Sequence, residues 1–139
     1  MGEVKSHLDS AGIAYIDYGT YSSESCDYPE IAIRAARAVV GGECDLGIFV
    51  CGTGIGMSLA ANKIPGIRAA LCVDLYTADM ARSHNDANVL ALGARVTEAG
   101  LALDIIDLFL RTEFEGDGRH GRRVRMLNEL DSSLGAVPK

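Results

Sequence analysis

Residues 44–63 read CDLGIFVCGTGIGMSLAANK and carry the clearest fold signal in this chain. The first eight letters are a mostly apolar run rich in β-forming residues, which is typical of a strand covered on both faces. A turn with three glycines follows at once, and the letters after the turn favour a helix. A strand that enters a helix through a tight turn is the repeating unit of a parallel α/β sheet.

The same alternation of strand and helix continues on both sides of this stretch. Upstream we predict a helix at 3–10, a strand at 13–18, the turn-rich loop GTYSSESCDYP and a helix at about 29–40. Downstream we predict a strand at 67–73, a helix at 75–82, a strand at 88–92, a helix at 98–111 and a last helix at about 119–134.

This order of elements predicts the fold class. Strands that alternate with helices imply right-handed crossovers, so we expect one α/β domain over residues 1–139, a three-layer α/β/α sandwich with a parallel, Rossmann-like sheet. The series begins on a helix, as though a first strand were missing or truncated. We therefore expect an unfilled position or an exposed edge in the sheet.

Composition excludes several classes of protein. The chain has 139 residues and a net charge of −6, whereas proteins that bind the nucleic-acid backbone usually display a broad basic face. Its apolar runs are far shorter than the roughly 20 residues of a membrane span, and its N-terminus lacks a hydrophobic signal core. We expect a cytoplasmic protein that binds neither nucleic acid nor membrane.

The four cysteines do not follow the spacing of a metal site or a disulfide scaffold. Cys26, Cys44, Cys51 and Cys72 form no CxxC pair and have no histidine-rich segment beside them, so we expect reduced thiols and no metal. Cys44 and Cys72 lie in apolar runs and are interpreted as small buried hydrophobes. Cys51 differs because it ends a strand beside the glycine turn.

The turn that begins at Cys51 has the features of an anion-binding site. Gly52, Gly54 and Gly56 allow a tight turn whose amides point toward one spot, at the carboxyl end of a strand where ligands of α/β sheets bind. The G-x-G-x-G spacing matches neither the dinucleotide fingerprint nor the phosphate loop, which disfavours nucleotides. A plain strand-to-helix connection is the alternative, but a thiol facing clustered amides can act as base or nucleophile.

Two further motifs carry candidate residues. SHNDAN places His84 and Asn85 at a helix–strand junction, where an imidazole can shuttle protons, although a lone histidine in a polar turn is more often an incidental surface residue. GRHGRRVR places Arg119 and Arg123 four residues apart on one helical face. Such a basic stretch is ordinarily a solvated face, but in an acidic chain it is also a candidate phosphoryl clamp.

With these residues in place, the chain closely resembles the type B ribose-5-phosphate isomerases, the family that also holds allose- and galactose-6-phosphate isomerases. The resemblance runs through DYGTYSSESCDYP at 17–29, CGTGIGMSLAANKIPGIRAAL at 51–71, ARSHNDANVLALGARV at 81–96 and FEGDGRHGRRV at 114–124. It implies an intramolecular oxidoreductase of carbohydrate metabolism that interconverts ribose 5-phosphate and ribulose 5-phosphate in the pentose phosphate pathway. It also implies that no cofactor is needed and that homodimers share their active sites, with a tetramer left open.

The resemblance also assigns roles to residues of this sequence. Cys51 would be the base that moves a proton between C2 and C1, and Thr53 and His84 would assist ring opening. The other implied substrate contacts are the turn Gly52, Gly54, Ile55 and Gly56 for the enediolate oxygens, Asn85 and Tyr28 for the sugar hydroxyls, and Arg95, Arg119 and Arg123 for the phosphate.

Two departures from the family keep alternatives open. Family members begin with a strand that ends in an Asp-His pair, which has no counterpart here, so a truly truncated protein is expected to show weak activity and poor solubility. GDGRH stands where the family usually has GGRH, which could shift Arg119 and Arg123. The alternatives are a hexose-6-phosphate isomerase and a catalytically impaired sugar-phosphate-binding subunit. The glycine spacing and the lack of CxxC disfavour a nucleotide-binding or redox domain.

Overall fold

The computed structural model describes residues 2–19 and 24–133. The described elements are α1 (Gly2–Ser10), α2 (Tyr28–Val40), β1 (Gly47–Cys51), α3 (Ile55–Ala61), β2 (Ala69–Leu71), α4 (Leu75–Ser83), β3 (Val89–Gly93), α5 (Ala99–Arg111) and α6 (Gly118–Ser133). Residues 20–23 of the predicted loop and residue 134 of the predicted last helix lie outside the described residues.

The three strands form a parallel sheet in the order β1-β3-β2, which confirms the predicted α/β class. β1 pairs with β3 along its full length, from Gly47 opposite Val89 to Cys51 opposite Gly93. β2 covers only the middle of the strand predicted at 67–73 and pairs with the first part of β3. The central strand is therefore β3, and its residues are buried from end to end.

Side chains alternate across β3 and build a core on each face of the sheet. Val89 and Ala91 pack with residues of α2 and α3, whereas Leu90 and Leu92 pack with residues of α1, α4 and α5. Because a strand buried on both faces needs helices above and below it, the near-continuous apolar sequence of β3 requires this arrangement. The predicted three-layer sandwich is confirmed.

The predicted strand at 13–18 is wrong. This segment has no strand partner in the described part of the chain, and Ile13, Tyr15 and Ile16 are between 37% and 49% exposed. An ion pair of 3.0 Å between Lys5 Nζ and Asp17 Oδ2 ties the segment to α1 instead. Alternating apolar residues form a strand only when a neighbouring strand accepts their backbone hydrogen bonds.

β1 lies at one edge of the sheet. Within residues 2–19 and 24–133, β1 is paired on one side only, to β3.

No helix within residues 2–19 and 24–133 has the length and apolar character needed to cross a bilayer. The last helix, α6, is tied to the loop before β2 by hydrogen bonds from the Gly66 amide to Asp131 at 2.8 Å and from Arg68 Nη1 to Asn128 at 3.0 Å.

Candidate active site

The connections of the sheet create a crevice at the carboxyl ends of β1 and β3. β1 continues into α3 on one face, and the neighbouring β3 continues into α5 on the other face. Open α/β sheets bind ligands at such a point, because the two loops diverge and leave a gap between the strand ends. Cys51 and Gly93, which are register partners, end the two strands at this point.

The glycine turn follows Cys51 at this crevice, and one of its amides contacts the Cys51 thiol. The Gly54 amide donates a hydrogen bond to Cys51 Sγ at 3.1 Å, and the Ile55 amide donates to Thr53 Oγ1 at 3.2 Å. Gly54 has φ +81°, a left-handed conformation that L side chains rarely adopt. The Cys51 side chain is half-buried, with one side against the apolar core and its sulfur toward a backbone amide.

Two predicted substrate-binding residues lie against the same turn. The Tyr28 ring packs on Gly56 so closely that a Cβ there would be 2.6 Å from Tyr28 Cζ. The Arg95 guanidinium lies beside Gly52, where a Cβ would be 3.1 Å from Nη1. The turn therefore brings a thiol, backbone amides, a phenol and a guanidinium together at the carboxyl ends of β1 and β3.

The remaining cysteines lie elsewhere. All four thiols are free, as predicted. Cys72 is 1% exposed in the core, and burial raises the pKa of its thiol to about 11, so it stays protonated. Cys44 is half-buried, and burial also raises the pKa of its thiol. Cys51 is the cysteine placed at the crevice.

A second group of predicted residues surrounds His84. This residue ends α4, and its ring stacks on the ring of His120 with centroids 3.8 Å apart. His84 Nε2 is 3.8 Å from a carboxylate oxygen of Glu115, just before α6. Asn85 is exposed beside His84, and α6 carries Arg119 and Arg123 on its exposed surface.

One chain does not bring these two groups together. Cys51 is the register partner of Gly93 at the carboxyl end of β3, whereas His84 precedes Val89 at the amino end of the same strand. A strand of this length spans about 16 Å at roughly 3.3 Å per residue. The junction between α4 and β3 that contains His84 therefore lies at the opposite end of the strands from the glycine turn.

Several residues with structural roles at these sites were missed in the sequence. Asp86 has φ +47° and is held by Arg68 Nη2 and Arg82 Nη1, each at 3.2 Å from one of its carboxylate oxygens. This clamp fixes the turn that follows His84. Aspartate is among the few residues enriched in left-handed backbone. Asp86, between Asn85 and Asn88, could therefore have been predicted to form a turn.

Gly93 was also missed, although a glycine at the end of a buried strand often marks a close approach of backbone. A Cβ at Gly93 would lie 2.5–2.7 Å from the backbone of Thr53, which cannot swing aside like a side chain. We expect Gly93→Ala to destabilise the protein by about 1–3 kcal/mol through overpacking and to lower its melting temperature by several degrees. Calorimetry checks this.

Gly100→Ala is the matched control for Gly93→Ala. Gly100 lies in the first turn of α5, where a Cβ would meet only a carboxylate oxygen of Glu98 at 3.6 Å. We expect this change to leave the melting temperature unchanged or slightly raised, because alanine is the better helix former. Equal melting temperatures for both variants would show that the turn does not depend on the close approach at Gly93.

Comparison with known proteins gives the family of this chain. Residues 2–127 match the family model described as Ribose/Galactose Isomerase. The chain is 50% identical to ribose-5-phosphate isomerase B of Escherichia coli over 129 residues, covering 93% of this chain and 86% of that protein. It is 41% identical to the galactose-6-phosphate isomerase subunit LacB of Clostridium acetobutylicum, covering 92% and 74%.

Solved structures give the same result. Clostridium thermocellum ribose-5-phosphate isomerase B superposes with a TM-score of 0.93 at 51% identity, over 96% of this chain and 89% of that one. A ribose 5-phosphate isomerase from Thermotoga maritima gives 0.89 at 51% identity, over 92% and 88%. On the family match, the sequence identity and the shared fold, the chain belongs to the ribose/galactose isomerase family.

Proposed function

We propose that this protein is an aldose–ketose isomerase that interconverts ribose 5-phosphate and ribulose 5-phosphate, with Cys51 as the base. The single observation that carries the proposal is the Gly54 amide 3.1 Å from Cys51 Sγ at the crevice between β1 and β3. This contact places partial positive charge beside a sulfur that can reach a bound sugar. Identity of about 50% to ribose-5-phosphate isomerases supports the choice of substrate.

In this proposal Cys51 moves one proton within the open-chain sugar. The thiolate removes the proton from C2 of the aldose, the C1 aldehyde oxygen gains the electron pair, and an enediolate forms. The Cys51 thiol then returns a proton to C1, while the C2 hydroxyl passes its proton to the C1 oxygen and the C2 oxygen becomes the ketone. A positioned base of this kind contributes about 10²–10⁴ in rate, and the site needs no cofactor for the transfer.

The backbone of the turn stabilises the negative charge that develops on the sugar. Residues 52–56 pass from the strand end into the first turn of α3, whose ladder starts with the Ser58 amide bonded to the Gly54 carbonyl. The amides of Gly54 and Ile55 bond Cys51 Sγ and Thr53 Oγ1, whereas those of Gly56 and Met57 have no intrahelical acceptor and can donate to an oxyanion. Amides fixed in this way gain most when charge appears on the reacting atoms.

The rest of the sugar binds the side chains around the turn and the group around His84. Thr53 and His84 move protons between the anomeric hydroxyl and the ring oxygen during ring opening, and Tyr28 and Asn85 bind hydroxyl groups. The three guanidinium groups that bind the phosphate are Arg95, Arg119 and Arg123. Guanidinium suits this task because its fixed fork of donors matches phosphoryl oxygens.

A complete site in this proposal needs a second copy of the chain. The Cys51 turn lies at the carboxyl ends of the strands and the His84 group at their amino ends. A two-fold axis therefore has to bring the His84 group of one protomer to the Cys51 turn of the other. A groove of about 450 Å³ beside β2, α4 and α6 has Asn85, the residue after His84, in its lining. Tyr76 on its rim is 72% exposed, as expected of a residue that a partner covers.

We also propose that the enzyme works in the cytoplasm. Its four cysteines are all free thiols, which is the usual state in a reducing compartment. Whether dimers pair further into tetramers is a question for mass measurement in solution.

The direct test is turnover of ribose 5-phosphate by the purified chain, with Cys51→Ala measured beside it. The proposal expects formation of ribulose 5-phosphate that depends on Cys51. Binding of sugar phosphate without turnover above the Cys51→Ala background would favour the impaired binding subunit instead. A higher kcat/KM for allose or galactose 6-phosphate than for ribose 5-phosphate would favour the hexose branch.

Arg123→Ala is expected to weaken substrate binding rather than proton transfer. Loss of a charge-assisted contact to phosphate should raise KM about 30-fold, while kcat stays within about threefold. Arg122→Ala is the matched control, because Arg122 is the adjacent exposed arginine of α6 and has no role in the proposal. Steady-state kinetics on ribose 5-phosphate measures both, and an unchanged KM in Arg123→Ala would remove this residue from the phosphate site.

A further inference from the structure

The ring of His84 stacks on the ring of a second histidine, His120, which has no role in the proposed mechanism. The rings of His84 and His120 lie 3.8 Å apart with an interplanar angle of 11°. His84 ends α4 and His120 lies in the first turn of α6, so the stack joins two elements. The His84 side chain is 31% exposed, and the stack covers one face of its ring.

A metal ion is a poor explanation for this arrangement. His84, Glu115 and His120 offer ligand atoms within 4.8 Å of one another. The two imidazole planes are nearly parallel, however, so their in-plane lone pairs run side by side and do not converge on one ion. Arg119 and Arg123 also add positive charge next to His120, which disfavours a cation.

We propose that His120 is a positioning residue that fixes the ring of His84 by face-to-face stacking, in the orientation that ring opening requires. The inference rests on the proposed function, in which His84 moves protons between the anomeric hydroxyl and the ring oxygen. His120 itself need not touch the sugar. Its contribution is to remove the rotational freedom of a side chain that acts on a single bound atom.

The charges around the stack allow it to persist. Burial lowers the pKa of His120, and His84, Arg119 and Arg123 lower it further, against an opposing effect of Glu115. His120 therefore stays neutral near pH 7, and its ring can lie against His84 without repulsion between two imidazolium charges. The groups that face His120 are His84 from α4, Glu115 from the preceding loop, and both arginines from α6.

Positioning predicts a selective defect. Ring opening concerns the cyclic aldose, whereas ribulose 5-phosphate has no free hydroxyl placed to close a five-membered ring and is an open chain. Cys51 can remove a proton from C1 of that ketose, and a proton or deuteron from solvent can replace it. This exchange needs neither ring opening nor ring closure. Deuterium entry from D₂O into C1 of ribulose 5-phosphate therefore measures proton transfer by itself.

The experiment compares His120→Ala and His120→Phe with the unmodified protein, and uses Arg122→Ala as a control on the same helix. For His120→Ala we expect net conversion of ribose 5-phosphate to lose about 10-fold in kcat, with KM and deuterium entry within about twofold. His120→Phe keeps a flat ring against His84 but cannot donate or accept a proton. It should recover most of the lost kcat.

Three results would overturn the positioning role. A large rise in KM in both variants would mean that His120 binds substrate directly. Equal losses of net conversion and of deuterium entry, with a lower melting temperature, would mean a general structural role. Failure of phenylalanine to recover kcat would mean that the nitrogens of His120 matter. If the unmodified protein shows neither conversion nor deuterium entry, it is the proposed function that fails.

Discussion

Cys51→Ala is expected to lower kcat for ribose 5-phosphate by about 10³-fold, the middle of the range for a positioned base. KM should stay within about threefold, because the phosphate and hydroxyl contacts do not involve the sulfur. Deuterium entry into C1 of ribulose 5-phosphate should fall by the same factor as kcat, since both need the same base. Steady-state kinetics and NMR in D₂O measure the two rates.

Cys26→Ala is the matched control for this substitution. Cys26 is an exposed free thiol with no role in the proposal, so its loss should change neither rate. Iodoacetamide should inactivate the unmodified protein and Cys26→Ala alike. A Cys51→Ala variant that keeps kcat within tenfold of the unmodified protein would remove Cys51 as the base.

The class of fold could be predicted because its signals are local. A strand buried on both faces leaves an unbroken apolar run, and the glycine turn after Cys51 marks the passage into α3. The strand at 13–18 could not be tested in this way. Its letters alternate as a strand does, but a strand also needs a neighbour in space, and the local sequence does not show whether one exists.

The candidate site could be predicted in parts but not as a whole. Cys51 and the glycine turn follow from one rule about strand ends in α/β sheets, and the structure places Tyr28 and Arg95 beside them. His84 follows a helix and precedes a strand. In a parallel sheet this places it at the amino ends of the strands, whereas Cys51 lies at their carboxyl ends. Applied strictly, that rule already separates the two residues within one chain.

Contacts across the chain were beyond the reach of sequence patterns. The stack of His84 on His120 joins residues far apart in sequence, and the clamp of Asp86 by Arg68 and Arg82 joins three elements of the fold. Each of these residues, taken alone, is a polar or charged residue of the kind usually found on a protein surface. Their roles depend on distances that only the packed fold defines.

Mixed dimers test whether one active site combines the Cys51 turn of one protomer with the His84 group of the other. Two dimers are purified through a different affinity tag on each chain. The trans pair joins a Cys51→Ala chain to a His84→Ala/Arg123→Ala chain. The cis pair joins an unmodified chain to one that carries all three substitutions. Tag composition after the assay confirms that subunits have not exchanged.

Shared sites and sites within one chain give opposite results in these dimers. If sites are shared, the trans pair has one intact site and should show about half the activity of the unmodified dimer, while the cis pair has none. We expect this result, with each parent homodimer near background. Half activity in the cis pair and background activity in the trans pair would contradict it, because each site would then lie within one chain.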